Sequence, residues 1–456
     1  MNINDLEKYI ARHAHAHLVG IGGVSMAPLA EVLKSIGVKV SGSDMNDSDS
    51  VQHLRSLGID VVIGHSADNI KGADFVVRTA AARDDNPEIA AAREAGIPVF
   101  ERAEAWGYIM RSYKNAVCVS GTHGKTTTTS MVTHIFMNAQ ADPTVMIGGT
   151  LPLLKAGHRV GGGDTIIMES CEYYNSFHSF SPTIAVILNV DADHLDFFKD
   201  LEDVKASFRK FAQLVPETGA VVANGDDENT MSAIAGIDRK VITFGISESC
   251  DVRAENIFAH DHGTDFDLIW NGEKVTSVNL SVPGIHNVKN ALAAAAAALI
   301  LGVEPVHISE ALSEFHGAGR RFEFKGVYNG ADVYDDYAHH PGELHALLDA
   351  TLNLEYERVI LCFQPHTYTR TKALFNEFVA ELKRPHVTYL SEIYAAREKN
   401  TIGISASHLA AEIPGAKFFE TFDELEAELR KVAKAGDLIL TVGAGNIYRV
   451  GEKLVQ

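Results

Sequence analysis

Short apolar runs rich in β-branched residues alternate with longer segments of helical periodicity along nearly the whole chain. That alternation predicts α/β domains built on largely parallel sheets. Three of the apolar runs lead into a glycine turn and a helix-patterned segment. The first is HLVGIGGVSMAPLAEVLKSIGVKVSGSD, from His17 to Asp44. The second is AVCVSGTHGKTTTTSMV, from Ala116 to Val132, and the third is DLILTVGAGNIYRVGEKLV, from Asp437 to Val455. Three such starts predict three nucleotide-fold-like modules, placed at residues 1–112, 113–318 and 319–456.

Composition narrows the function class. A chain of 456 residues with 46% hydrophobic and 22% charged content is soluble and globular in character, and too long for one ordinary core. The formal net charge of -20 argues against a broad nucleic-acid or anionic-membrane surface. Cys118, Cys171, Cys250 and Cys362 stand far apart without metal-ligand spacing, as suits a reducing compartment. The opening MNINDLEKYI carries acids where a signal peptide needs a basic and then an apolar run. The longest apolar run, Ala291 to Leu301, is too short to span a bilayer. A cytoplasmic location is expected.

The first glycine turn, Gly20-Ile21-Gly22-Gly23-Val24-Ser25, matches a dinucleotide fingerprint except that Ser25 replaces the third glycine. Asp44 ends the following strand. It serves either as a strand-end cap or beside a nucleotide whose pyrophosphate meets the helix start, with UDP as suitable as NAD.

The second turn is more telling. Gly121-Thr122-His123-Gly124-Lys125-Thr126-Thr127 ends as a P-loop ends, with Val119 where the longer form has its first glycine. Gly124 removes a Cβ, Lys125 neutralises phosphate oxygens, and Thr126 offers a hydroxyl to Mg²⁺. ATP or GTP is the expected ligand. Glu169 stands at the strand end within the run TIIMES and is followed by Glu172. After TIAVILN come Asp193, His194 and Asp196. Strand ends flanking a P-loop strand converge at one sheet edge, so Glu169 and His194 are candidate metal ligands. A histidine capping its strand end is the alternative, since Mg²⁺ prefers oxygen.

The segments GTHGKTTTT, NVDADHLD, PGIHNVKNALAA, GAGRRFE, DDYAHHPGE and FQPHTYTRT occur in the order seen in the Mur ligases, and in this respect the whole chain resembles that family. The resemblance implies a UDP-binding Rossmann-like domain, a central P-loop ATPase domain and a C-terminal Rossmann-like domain that binds the amino acid. It implies ligation of L-alanine to the carboxylate of UDP-N-acetylmuramate through an acyl phosphate, a step of peptidoglycan synthesis. ATP and Mg²⁺ are then expected, with Mn²⁺ as an accepted substitute.

By the same resemblance Lys125 holds the ATP phosphates within the loop Gly121–Thr127, while Thr126, Glu169 and His194 ligate the metal. Arg321 reaches the ATP phosphates and Asp336 the nucleoside, with His286, Asn287 and Asn290 on the adenine side. Helix capping is what Asn287 and Asn290 would otherwise suggest. Tyr337, His339, His366 and Arg370 form the amino-acid pocket, and a histidine takes the amine proton, with His339 and His340 equally near in sequence. UDP lies on Gly22, Gly23, Ser43, Asp44, His65 and Thr79.

Three segments depart from the family pattern. Cys171 and Asn175 replace acids of the segment that follows Glu169, Thr367 stands where arginine is common, and Ser25 replaces the third glycine. A ligase of the same fold that takes a recycled tripeptide is the near alternative. A P-loop switch that binds protein partners is the distant one. No nucleic-acid or membrane partner is expected, and the chain is expected to be a monomer or weak homodimer.

Overall fold

The computed structural model describes residues 3–79, 81–194, 197–260, 263–396 and 398–456. Among the described residues there are three sheets, and the α/β class expected from the alternating pattern is the one observed. The chain divides into two compact units. One holds Met1–Arg253, Ile269–Val275 and Ala291–Ala311, and the other holds Ala254–Leu268, Thr276–Asn290 and Leu312–Gln456.

In the first unit, a parallel sheet runs in the order Asp60–Ile63, Lys39–Asp44, His15–Val19, Phe75–Arg78, Val99–Glu101. The strand earliest in sequence is central, so the order reverses beside it. The turn at Gly20–Gly23 therefore opens at a topological switch point, where parallel sheets bind ligands. Helix Met26–Ser35 follows and buries Met26, Leu29, Ala30 and Leu33 at helical spacing. These join Leu18, Phe75 and Phe100 in one core that continues to Ile166, Met168 and Phe208.

The second sheet has its own switch point. Within this unit its order is Val241–Gly245, Ala220–Asn224, Ile184–Ile187, Asn115–Ser120, Thr165–Glu169, Thr144–Leu151, Ala156–Arg159. The pairs are parallel except for the last hairpin. Residues Ala116–Val119, Ile166–Met168 and Ile184–Ile187 are buried, the continuous apolar runs of strands covered on both faces. The P-loop strand Asn115–Ser120 thus lies between the strands that end at Glu169 and Ile187. Helix Lys125–Asn138 accommodates its threonine run because Thr129 Oγ1 donates to the Lys125 carbonyl (2.8 Å) and Thr133 Oγ1 to that of Thr129 (2.8 Å).

In the second unit the sheet order is Glu323–Tyr328, Ala331–Asp336, Asp437–Val442, Arg358–Phe363, Val387–Ser391, Lys417–Phe419, parallel but for the first pair. Its glycine turn after Val442 is closed by protein. Arg320 donates to the carbonyls of Gly443 (2.6 Å) and Gly445 (2.9 Å), and Gln364 Oε1 accepts from Asn446 N (2.9 Å) and Ile447 N (3.2 Å). The apolar run from Ala291 falls in helix Ile285–Ile300, where Ala291–Ala298 are buried. No helix among the described residues is long and apolar enough to cross a membrane.

Candidate active site

The phosphate loop is shaped by two glycines. Gly121 leaves its strand at φ +142° and Gly124 enters the helix at φ +84°, conformations that favour a residue without Cβ. A Cβ on Gly121 would also lie 2.8 Å from Leu188 Cβ. Between the glycines the loop is pinned to the neighbouring strand end. Thr122 N donates to the Asn189 carbonyl (3.1 Å), His123 N to Asn189 Oδ1 (2.7 Å), and Asp191 N to Thr122 Oγ1 (2.9 Å). Gly124 contributes no side-chain cap, and the first turn contains no acid. The amides of Lys125, Thr126 and Thr127 therefore open the helix as an anion cradle needs them to.

Lys125 folds back over this loop. Its Nζ donates to the carbonyls of Gly121 and Thr122 (3.0 Å) and to Glu172 Oε2 (3.1 Å). Burial alone would lower the lysine pKa, but Glu172 and the other acidic neighbours raise it. The side chain is a fixed cation at neutral pH. Glu172 is itself 2% exposed and lies 3.8 Å from His194 Nε2, so one carboxylate joins the P-loop lysine to the histidine. His194 adopts φ +54° and stacks on Tyr173 at 4.4 Å. Thr126 Oγ1 donates to Glu169 Oε1 (3.2 Å), and Gly148 N donates to Glu169 Oε2 (2.7 Å). A Cβ on Gly148 would collide with that carboxylate. A hydroxyl, a carboxylate and an imidazole are donors a divalent cation accepts, nitrogen being the least usual for Mg²⁺. Asp196 lies outside the described residues.

At the first switch point Gly22 N donates to Asp44 Oδ2 (2.9 Å) and Asn46 N to Asp44 Oδ1 (3.1 Å), so Asp44 caps the turn. A Cβ on Gly22 would meet Val51 Cγ2 at 2.8 Å. Ser43 and His65 come together on a residue the sequence did not single out. Ser43 Oγ donates to Glu88 Oε2 (2.6 Å), and His65 Nδ1 lies 3.2 Å from the same oxygen. Glu88 is wholly buried. Its burial would raise the carboxyl pKa, but His17, Ser43 and Asn69 together hold it down at about 2.

Gly23 and Thr79 line a cleft that also takes in Ser25, Arg102, Glu169 and Cys171. The residue in place of the third glycine has a definite role there. Ser25 Oγ donates to Met146 Sδ (3.0 Å) and its carbonyl accepts from Trp106 Nε1 (3.2 Å), tying the first turn to the second sheet. Burial lowers the Arg102 pKa, and Cys171 and then Glu101 oppose it. Asn175 instead accepts from Ser207 Oγ.

The second unit gathers the predicted amino-acid residues. Ring centroids of Tyr337 and His339 are 5.5 Å apart, those of His339 and His366 5.4 Å, and Arg370 Nη1 is 3.2 Å from His366 Nδ1. Tyr394 stacks on His366 at 5.8 Å. The sequence reading missed it, although it follows the end of strand Val387–Ser391, where ligand residues gather. Burial pushes the His339 pKa down to about 4, so this imidazole is neutral at pH 7. Its Nδ1 faces the Tyr337 carbonyl (3.1 Å) and a Glu343 carboxylate oxygen (3.3 Å), two acceptors. Nδ1 therefore carries the proton and Nε2 keeps a lone pair. His340 differs: its Nδ1 accepts from Gly342 N (3.2 Å) and caps helix Pro341–Thr351.

Asp336 is buried at its strand end, accepting from Phe322 N (2.8 Å) and Ala338 N (2.7 Å). Burial pushes its carboxyl up to about 6 against the pull of Arg321. Arg321 lies over the Tyr337 ring at 5.0 Å. Asn287 Nδ2 donates to the Pro283 carbonyl (2.7 Å) and Asn290 Nδ2 to Asn287 Oδ1 (3.3 Å), so both brace the start of their helix. His286 is neutral, its pKa held down near 4 by burial.

Comparison with known proteins identifies the family. Residues 15–114 match the model of the Mur ligase family catalytic domain, residues 119–298 that of the Mur ligase middle domain, and residues 320–445 that of the Mur ligase, glutamate ligase domain. The UDP-N-acetylmuramate–L-alanine ligase of Clostridium novyi (strain NT) is 46% identical over 444 residues, 96% of this chain and 97% of that one. Among solved structures, the UDP-N-acetylmuramate-alanine ligase of Thermotoga maritima is 31% identical with a TM-score of 0.79, covering 97% of this chain and 98% of the other. The murein peptide ligase of Psychrobacter arcticus 273-4 is 25% identical with a TM-score of 0.70 over the same shares. The chain belongs to the Mur ligase family.

Proposed function

We propose that this protein joins L-alanine to the carboxylate of UDP-N-acetylmuramate with cleavage of ATP to ADP and phosphate, a cytoplasmic step of peptidoglycan synthesis. One observation carries this: the likeness to UDP-N-acetylmuramate–L-alanine ligases runs the length of both chains rather than through the ATPase part alone. A carboxylate does not react with an amine because its leaving group would be oxide. Transfer of the γ-phosphoryl group to that carboxylate gives an acyl phosphate. The amine then attacks the acyl carbon, and phosphate leaves from the tetrahedral intermediate.

The residues divide this work. The amides of the loop Gly121–Thr127 and the Lys125 ammonium neutralise the ATP phosphates, with Glu172 fixing the ammonium in place. Thr126, Glu169 and His194 would hold Mg²⁺, which supplies charge neutralisation at the phosphoryl oxygens. Arg321 assists at the phosphates, Asp336 at the nucleoside, and His286, Asn287 and Asn290 at the adenine side. Gly22, Gly23 and Asp44, with Ser43, His65 and Thr79, bind the UDP end of the acceptor. Arg370 takes the alanine carboxylate beside Tyr337 and His366. His339 accepts the amine proton at Nε2, whereas His340 is committed to its helix cap.

The test is ADP release from ATP·Mg²⁺ and UDP-N-acetylmuramate with L-alanine, with L-Ala-γ-D-Glu-diaminopimelate, or with no amine, followed by product mass. Turnover with L-alanine and a product one alanyl unit heavier is expected. Turnover with the tripeptide alone would make this a recycling enzyme.

A further inference from the structure

Away from the catalytic cluster, three side chains with metal-ligand chemistry converge from distant parts of the sequence. Glu31 comes from helix Met26–Ser35, His53 from the last turn of helix Asp49–Ser56, and His158 from the hairpin strand Ala156–Arg159 at the edge of the second sheet. Their ligand atoms all lie within 4.8 Å of one another. Glu31 Oε1 is 2.8 Å from His158 Nε2 and 3.3 Å from His53 Nε2.

Two imidazole nitrogens and a carboxylate oxygen are a donor set that Zn²⁺ and its neighbours take readily. Tetrahedral coordination at bond lengths of about 2.0–2.2 Å spaces adjacent ligand atoms about 3.4 Å apart. The two separations from Glu31 are close to that spacing, and the two imidazole nitrogens lie within 4.8 Å of one another. Glu31 and His158 are shielded, at 15% and 21% side-chain exposure, while His53 at 52% leaves an approach from solvent and room for a water as fourth ligand.

We propose that Glu31, His53 and His158 form a binding site for a divalent transition metal, Zn²⁺ foremost. The ion joins the first sheet's helices to the outer hairpin of the second. That junction is the one Ser25 makes with Met146. Metal at this site would fix the first glycine turn relative to the cleft that holds Glu169. A carboxylate that merely accepts hydrogen bonds from two imidazoles is the competing description, and the two differ in what a metal does.

The experiment is a Co²⁺ titration of chelator-stripped full-length protein, read by visible d–d absorption and repeated with Zn²⁺ as competitor. Wild type should develop the intense bands of four-coordinate Co²⁺, saturating at one equivalent and lost on adding Zn²⁺. These are distinct from the weak absorption that octahedral Co²⁺ at the Thr126, Glu169 and His194 site would give. His53→Ala, His158→Ala and Glu31→Gln should each weaken this binding by more than about tenfold, the least that loss of even an outer-shell partner costs. His194→Ala should leave the bands unchanged, which separates this site from the catalytic one. Half-exposed His53 is the variant least able to disturb folding, and its circular dichroism without metal checks that. Zn²⁺ should raise the Tm of wild type and not that of His53→Ala. Bands that persist in His53→Ala and His158→Ala, or a wild type with no bands beyond those of hydrated Co²⁺, would overturn the proposal.

Discussion

Thr367 shows how a single residue can carry the cost of a site. It holds φ +64°, ψ 146° at the start of helix Tyr368–Ala373, a region that β-branched residues avoid. The conformation is kept by the Thr367 amide donating to the Tyr394 carbonyl (3.0 Å) and by Thr371 Oγ1 donating to the Thr367 carbonyl (2.7 Å). It sets His366 beside Arg370. Relief of strain worth about 1–3 kcal/mol exceeds the extra unfolded-state entropy of glycine, about 0.4–1 kcal/mol. Thr367→Gly should therefore gain about 1 kcal/mol in urea unfolding while losing kcat as the His366–Arg370 loop loosens. A destabilised variant would show that the backbone there is not strained. Arg102 is a second residue-scale case, since a cation held in the cleft with Glu169 and Cys171 suits an anionic acceptor. Arg102→Ala should raise KM for UDP-N-acetylmuramate by about 10–100-fold, the worth of one hydrogen bond to a charged group. KM for ATP should stay as it was, and a rise in both would remove Arg102 from the acceptor site.

Between elements, Glu88 decides how the first sheet is held. It stands in the first turn of helix Pro87–Glu94, against Ser43 from a strand, His65 from a loop and Asn69 from a short helix. Its folded pKa of about 2 lies below the ordinary 4.5. Stabilisation from its charge is thus complete above pH 4.5 and is lost as pH falls through about 2. The shift corresponds to about 3 kcal/mol. Wild type should exceed Glu88→Gln in unfolding free energy at pH 7, with the gap closing between pH 5 and pH 2. A gap independent of pH would mean that Glu88 contributes shape and not charge. Nothing in PEIAAARE distinguishes this acid from the exposed acids common in first helical turns. Its burial is created by four elements meeting, which periodicity does not report. The P-loop was legible because its glycines, lysine and threonines act through local backbone geometry. The C-terminal turn GAGN has the same local signature, yet Arg320 and Gln364 fill it. Sequence pattern reveals the turn but not its occupant.

At the scale of the whole molecule, the proposed assignment puts ATP and acceptor at different switch points. The hydrogen bonds of Lys125 run to Gly121, Thr122 and Glu172, while Ser43 and His65 are held by Glu88, from a helix that packs beside the first sheet. Removal of Lys125 should therefore disable chemistry and spare acceptor binding. For Lys125→Ala, kcat should fall by at least about 10²–10³-fold, as when one preorganised charge stabiliser is lost. The Kd for UDP-N-acetylmuramate should stay within about twofold, the spread expected of sites that share no partner. Stability must be separated from this, because Glu172 at 2% exposure would lose its cation, and an unpaired buried charge costs about 3–5 kcal/mol. The double variant Lys125→Ala/Glu172→Gln removes that charge and should recover the folding stability without recovering turnover. Calorimetric binding of the acceptor to the folded double variant is then the deciding measurement. Affinity lost in step with turnover would mean that the two sites act as one.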